Sequence, residues 1–135
     1  MSLLRQLLLF IALIVLGSTT SYGSMHQTCP DMSHNKEPPT AWKLVLYKKL
    51  PQGNNVFTHA DWNREENRWG IVCNYNIPET GYFFQLWHDN YRPDVLARTH
   101  WKSSLNPNFP CNTKVDTSCR CRGRALEDCR IDEMD

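Results

Sequence analysis

Six cysteines, Cys29, Cys73, Cys111, Cys119, Cys121 and Cys129, all lie downstream of an export signal, and this combination constrains the fold more than any hydrophobic pattern does. Residues 1–5 make a short positive start, and residues 6–17 (QLLLFIALIVLG) form an apolar run too short for the roughly 20 residues that span a bilayer. Such a segment reads as a secretory signal peptide. Small residues Ser21 and Gly23 place the cut after Gly23, with Thr20 as second choice, so the expected segments are 1–23, 24–110 and 111–135. Residues 24–135 suffice for one modest domain, with no membrane span expected after cleavage. An oxidising compartment makes disulfides the default fate of the cysteines, and three bridges offset a small core. Six cysteines allow fifteen pairings, which the sequence leaves open. Cys119 and Cys121 are too close to bridge each other without strain, so each is expected to reach back to an earlier cysteine.

A rival use of these thiols is a metal site built from Cys111, Cys119, Cys121 and Cys129 with His26 or His34. Paired CxxC spacing is absent and the compartment disfavours free thiols, so neither metal nor other cofactor is expected. No Asn-x-Ser/Thr sequon occurs, which points to secretion over delivery to a lysosome by the usual sugar handle. Loss of Arg5 with the signal takes the formal charge from +1 to zero. A neutral chain does not bind nucleic acid by bulk charge, so any such activity needs a local site.

Strand signals dominate the rest. In residues 42–48 (WKLVLYK), Trp42, Leu44 and Leu46 alternate with Lys43, Val45 and Tyr47, the period of a half-buried strand. Residues 56–62 and 68–75 suggest two more around a charged turn, 81–87 (GYFFQLW) a clear one, and 97–102 another. Residues 105–110 (LNPNFP) read as a loop, and 125–134 as a short helix. The expectation is a small, strand-rich, disulfide-stabilised α+β domain. Arg120, Arg122, Arg124 and Arg130, followed by Asp132, Glu133 and Asp135, read first as a solvated, self-neutralising tail, with an anion-binding patch as the alternative.

There is no P-loop, GxSxG, HExxH or GxGxxG motif. His59 with Asp61, and His88 with Asp89, read as surface polar residues, on the ground that neighbouring strand residues face opposite ways. The five tryptophans, Trp42, Trp62, Trp69, Trp87 and Trp101, are assigned first to core packing. His100-Trp101-Lys102 is the better chemical element: one intervening residue on a strand puts imidazole and ammonium on one face, about 7 Å apart along the chain. Arg98 falls on that face too, and Trp101 on the opposite one. An imidazole and a cation side by side suit phosphodiester attack, the first as nucleophile or proton donor and the second neutralising the phosphoryl oxygens.

Residues 29–51 (CPDMSHNKEPPTAWKLVLYKKLP) resemble the mature amino terminus of the deoxyribonuclease II family: a cysteine, a polar loop, Trp42, an alternating strand, and Tyr47-Lys48 with Leu50-Pro51. Residues 83–93 (FFQLWHDNYRP), the HxK of His100 and Lys102, and 107–110 (PNFP) are similar to later landmarks in the same order. The resemblance covers residues 29–110 and makes 24–110 a partial domain of that kind. It implies one half of a phospholipase D-like fold and a metal-free acid endonuclease acting on DNA, with His100 and Lys102 catalytic and Arg98 binding. The family site takes two HxK elements where this chain holds one, so the resemblance also implies a two-fold homodimer that pairs them. The alternative is a non-catalytic, disulfide-rich secreted binding module or effector on the same scaffold.

Overall fold

A computed structural model describes residues 27–34, 37–45, 54–65, 68–78, 80–95, 100–123 and 125–134. The signal segment, Leu46 and Tyr47 of the first expected strand, Arg98 and Arg124 lie outside the described residues. Strands are β1 (Lys43–Leu44), β2 (Val56–Glu65), β3 (Arg68–Ile77), β4 (Tyr82–Asp89), β5 (Tyr91–Pro93), β6 (Trp101–Ser103), β7 (Ser118–Cys121) and β8 (Ile131–Glu133). Six of them form one sheet in the order β1-β4-β3-β2-β7-β6, and β5 pairs with β8 apart from it. Every ladder between these strands is antiparallel.

The alternation in the sequence shows why the sheet forms. In β3, Ile71, Cys73, Tyr75 and Ile77 all point inward and are buried. Phe84 and Leu86 do the same in β4, Ala60 and Trp62 in β2, Cys119 and Cys121 in β7, and Trp101 in β6. A period of two with one apolar face is the pattern of an antiparallel sheet with a single buried side. A register shift between Phe57 and His59 marks a bulge in β2, which keeps Phe57 packed against the core on the same side as Ala60. Gly81, at φ 72°, turns the chain between β3 and β4, a conformation open to a residue without a Cβ.

The inner face is closed by short pieces instead of a second large sheet. Cys29 and Met32 from the lead-in, Tyr91 of β5, Ile131 of β8, and Leu126 with Cys129 from a 3₁₀ turn (Leu126–Cys129) pack onto it. Two polar anchors tie these covers down: the Tyr75 hydroxyl donates to the Pro30 carbonyl at 2.6 Å, and Trp101 Nε1 donates to the Arg130 carbonyl at 2.9 Å. Burial among these groups holds the Tyr75 hydroxyl neutral by pushing its pKa well above the usual value.

All six cysteines are paired: Cys29 with Cys73, Cys111 with Cys119, and Cys121 with Cys129. Cys119 reaches back as expected, but Cys121 reaches forward to Cys129. Both project from the inner face of β7, one toward the loop entering the strand and the other toward the 3₁₀ turn leaving it. The α+β expectation is corrected by the same tail: among the described residues its helix is one 3₁₀ turn, because the chain must extend again at Ile131 to pair with β5. The architecture gives no support to a phospholipase D-like half. No helix among the described residues is long and apolar enough to cross a membrane.

Loop-closure entropy ranks the bridges, since Cys29–Cys73 spans 44 residues and each of the others spans 8. Replacing Cys29 and Cys73 together by alanine should cost about 4 kcal/mol, against roughly 2.5 kcal/mol for Cys111 with Cys119. Guanidinium unfolding of the two double variants measures this, and the opposite ranking refutes the entropic account.

Candidate functional site

The reverse side of β2, β7 and β6 carries the polar residues of the same alternation. Lys102 pairs with Arg120, and Arg120 with Asp61, so these three form one row across the strands at about 4.8 Å per step. The next row is Ser118 with Asn63 on one side and Ser104 on the other; the Ser118 and Asn63 side chains lie 3.1 Å apart, and those of Ser118 and Ser104 3.0 Å apart. Past the opposite ends of the ladders, beyond Trp101 and Cys121, come His100 and Arg122. These rows frame an open cleft of about 780 Å³, and Ser104 and Pro107 supply its rim.

Charge in the cleft is unbalanced. Among the described residues Lys102, Arg120 and Arg122 face one lining carboxylate, Asp61, while at the edge His100 has Asp128 beside it. The Asp61 carboxylate is already engaged. Arg120 donates to it through Nε at 2.6 Å and Nη2 at 3.5 Å, Asn74 Nδ2 lies 3.5 Å away, and His59 Nε2 also lies at 3.5 Å. Burial pushes the Asp61 carboxyl upward, but the hydrogen bonds and charges of His59 and Arg120 outweigh it and hold the pKa below the usual 3.8. Among the described residues Lys102 and Arg122 are exposed and take part in no ion pair, which leaves both free to meet an outside anion.

His100 stands at the cleft edge with its side chain 59% exposed, and its Nε2 lies 3.7 Å from Asp128 Oδ1. Its backbone N–H donates to the Asp128 carbonyl at 3.2 Å, so the 3₁₀ turn fixes where this histidine enters β6. Gly123 permits that approach, since a Cβ there would lie 2.3 Å from Asp128 Cβ. Nδ1 of His100 carries no interaction among the described residues and is open for chemistry.

The structure thus brings His100 and Lys102 to one cleft and turns Trp101 into the core, as the HxK spacing predicts. It also adds two groups assigned otherwise. Arg120 and Arg122 are not a solvated tail: Cys119-Arg120-Cys121-Arg122 alternates as a strand, cysteines inward and arginines outward, a pattern visible in the sequence once cysteine is treated as apolar. His59 and Asp61 do not face opposite ways, because residues two apart on a strand share a face. His59 is held between Thr58, whose Oγ1 lies 2.9 Å from its Nδ1, and Asp61, 3.5 Å from its Nε2. His88 packs edge-on against Trp42 and Tyr91, away from this cleft.

The metal reading fails on donor chemistry. Cys111, Asp116 and Cys119 lie close together, but both sulfurs belong to one disulfide and supply no thiolate. Comparison with family models, with curated proteins and with solved structures finds no match to this chain.

Asp61→Asn should lower stability by about 1–3 kcal/mol at neutral pH by uncoupling Arg120 and His59. A carboxylate with a lowered folded pKa stabilises above its unfolded value, and that contribution disappears as pH falls through the folded one. The gap between parent and variant should therefore close from about pH 3.8 downward. Denaturant unfolding at pH 7 and at pH 3 measures it, and an equal gap at both removes Asp61 from the account.

Proposed function

We propose that the chain is an exported, disulfide-stabilised binding domain whose outer sheet face recognises phosphate-bearing anions. One observation carries the reading: Lys102, Arg120, Arg122 and His100 open on one cleft where, among the described residues, the one lining carboxylate, Asp61, is engaged by Arg120 and His59. A phosphate diester meets such a surface with charge-assisted hydrogen bonds from the arginines and a point charge from the lysine. Neutral overall charge is compatible with this, because the field that matters is local.

Hydrolysis of DNA is a second reading, supported by His100 and Lys102 sharing the cleft in the way the deoxyribonuclease II resemblance implies. There, one imidazole attacks phosphorus to form a phosphohistidine, and a second, protonated imidazole gives its proton to the departing 5′ oxygen. Among the described residues His100 is the one imidazole lining the cleft. The outer edge of β6 is occupied by backbone bonds to Phe109 and Cys111, so two copies bringing their His100 side chains together must meet face to face rather than by extending the sheet.

Fluorescence anisotropy with a labelled DNA oligonucleotide, at pH 5 and pH 7.5, tests the binding reading. Lys102→Ala with Arg122→Ala should weaken binding about tenfold or more and flatten its salt dependence by roughly one to two ion equivalents. A parent protein that holds neither oligonucleotide nor anionic vesicles defeats the proposal. Plasmid nicking at pH 5 in the presence of a chelator, abolished by His100→Ala, would establish hydrolysis. Intact plasmid at every pH retires the nuclease reading alone.

A further inference from the structure

Beyond β6 the chain makes two short turns: the first reaches the rim of the cationic cleft through Ser104 and Pro107, and the second lies beside it around a neighbouring hollow that shares Ser103 with the cleft. The first is closed by an isolated bridge between Lys102 and Pro110, with Ser103 N–H donating to the Phe109 carbonyl at 3.0 Å and Phe109 N–H to Asn106 at 3.0 Å. In the second, Val115 and Asp116 N–H donate to the Asn112 carbonyl at 3.1 and 2.7 Å. The two are braced together: the Asp116 carboxylate accepts from Asn112 N–H at 2.8 Å and from the Ser103 hydroxyl at 3.1 Å, and the Cys111–Cys119 bridge fastens the base.

This braced platform presents apolar side chains to the outside. Leu105 is 88% exposed, Val115 74% and Phe109 60%. Residues 103–113 (SSLNPNFPCNT) contain no charged side chain, and lysines, Lys102 and Lys114, stand at both ends. Single exposed apolar residues need no explanation, but three on two stiff turns, with an uncharged stretch between flanking cations, do. A soluble phosphate or a nucleic acid would satisfy the cleft and leave Leu105, Phe109 and Val115 in water. An anionic phospholipid surface offers both a headgroup phosphate for the cations and an acyl boundary for the apolar tip.

We propose that this end of the molecule docks on an anionic phospholipid surface, with Leu105, Phe109 and Val115 entering the headgroup boundary while Lys102 and Arg122 take headgroup phosphates. The proposal rests on the phosphate-binding reading and names its ligand. Co-sedimentation with vesicles of phosphatidylcholine alone, and with about 30% phosphatidylserine added, supplies the test. The parent protein should sediment with the anionic vesicles, less so as salt rises, and pass over the neutral ones. Leu105→Ser with Phe109→Ser alters only exposed side chains, so its unfolding midpoint should match the parent. Its partition onto anionic vesicles should fall about tenfold while oligonucleotide affinity stays unchanged. Equal partition of parent and variant overturns the insertion. A parent that ignores anionic vesicles but holds the oligonucleotide overturns the membrane proposal and leaves the phosphate reading standing; one that ignores both removes both.

Discussion

β7 lies between β2 and β6 with Cys119 and Cys121 facing inward, and almost everything proposed for this protein depends on that register. The two cysteines are fully buried, and each is bonded to a different neighbouring segment. Because side chains alternate, a slip of one residue would push Arg120 and Arg122 into the core and swing both sulfurs out of reach of their partners. The disulfides therefore do more than offset a small core. By fixing one face of β7 they fix the other, and the outward arginines meet Lys102 and Asp61 as a consequence.

Asp61 settles how that cationic row survives in the folded protein. Three neighbouring cations on one face repel one another, and a carboxylate held below its usual pKa by Arg120 and His59 relieves part of that cost. Placed in β2 and half-sheltered, it balances Arg120 and reaches neither Lys102 nor Arg122 among the described contacts. The result is one satisfied arginine flanked by unsatisfied cations, an arrangement suited to an anion brought from outside. The same edge of the sheet carries the two braced turns, so polar recognition and apolar exposure sit side by side without crossing the core.

Much of the sheet was legible from alternation. β4 read directly as a strand, and residues 56–62 and 68–75 suggested β2 and β3, although β2 runs on to Glu65 through part of the charged turn expected at 63–67. The alternation around the HxK element was legible for the same reason: a buried Trp101 between exposed His100 and Lys102 is a strand in miniature. The carboxyl-terminal quarter misled, because its alternating inward residues are cysteines rather than aliphatics, and its arginines looked like a charged tail. The expected helix at residues 125–134 failed for a tertiary reason, since helix-forming Glu127 and Asp128 could not outweigh the bridge at Cys129 and the pairing of Ile131.

Composition and spacing alone pointed to an export signal, oxidised cysteines, a strand-rich core and one candidate pair, His100 and Lys102. Those properties are local: a cysteine count, a period of two and an i, i+2 spacing need no knowledge of distant neighbours. Which cysteines pair, that Arg120 and Arg122 join the HxK face, that Asp61 is spent on Arg120, and that Leu105, Phe109 and Val115 project beside the cleft were decided only in three dimensions. Each depends on strands distant in sequence being set side by side, here β2 against β7 and β7 against β6, and that order is set by burial and disulfide closure across the whole domain.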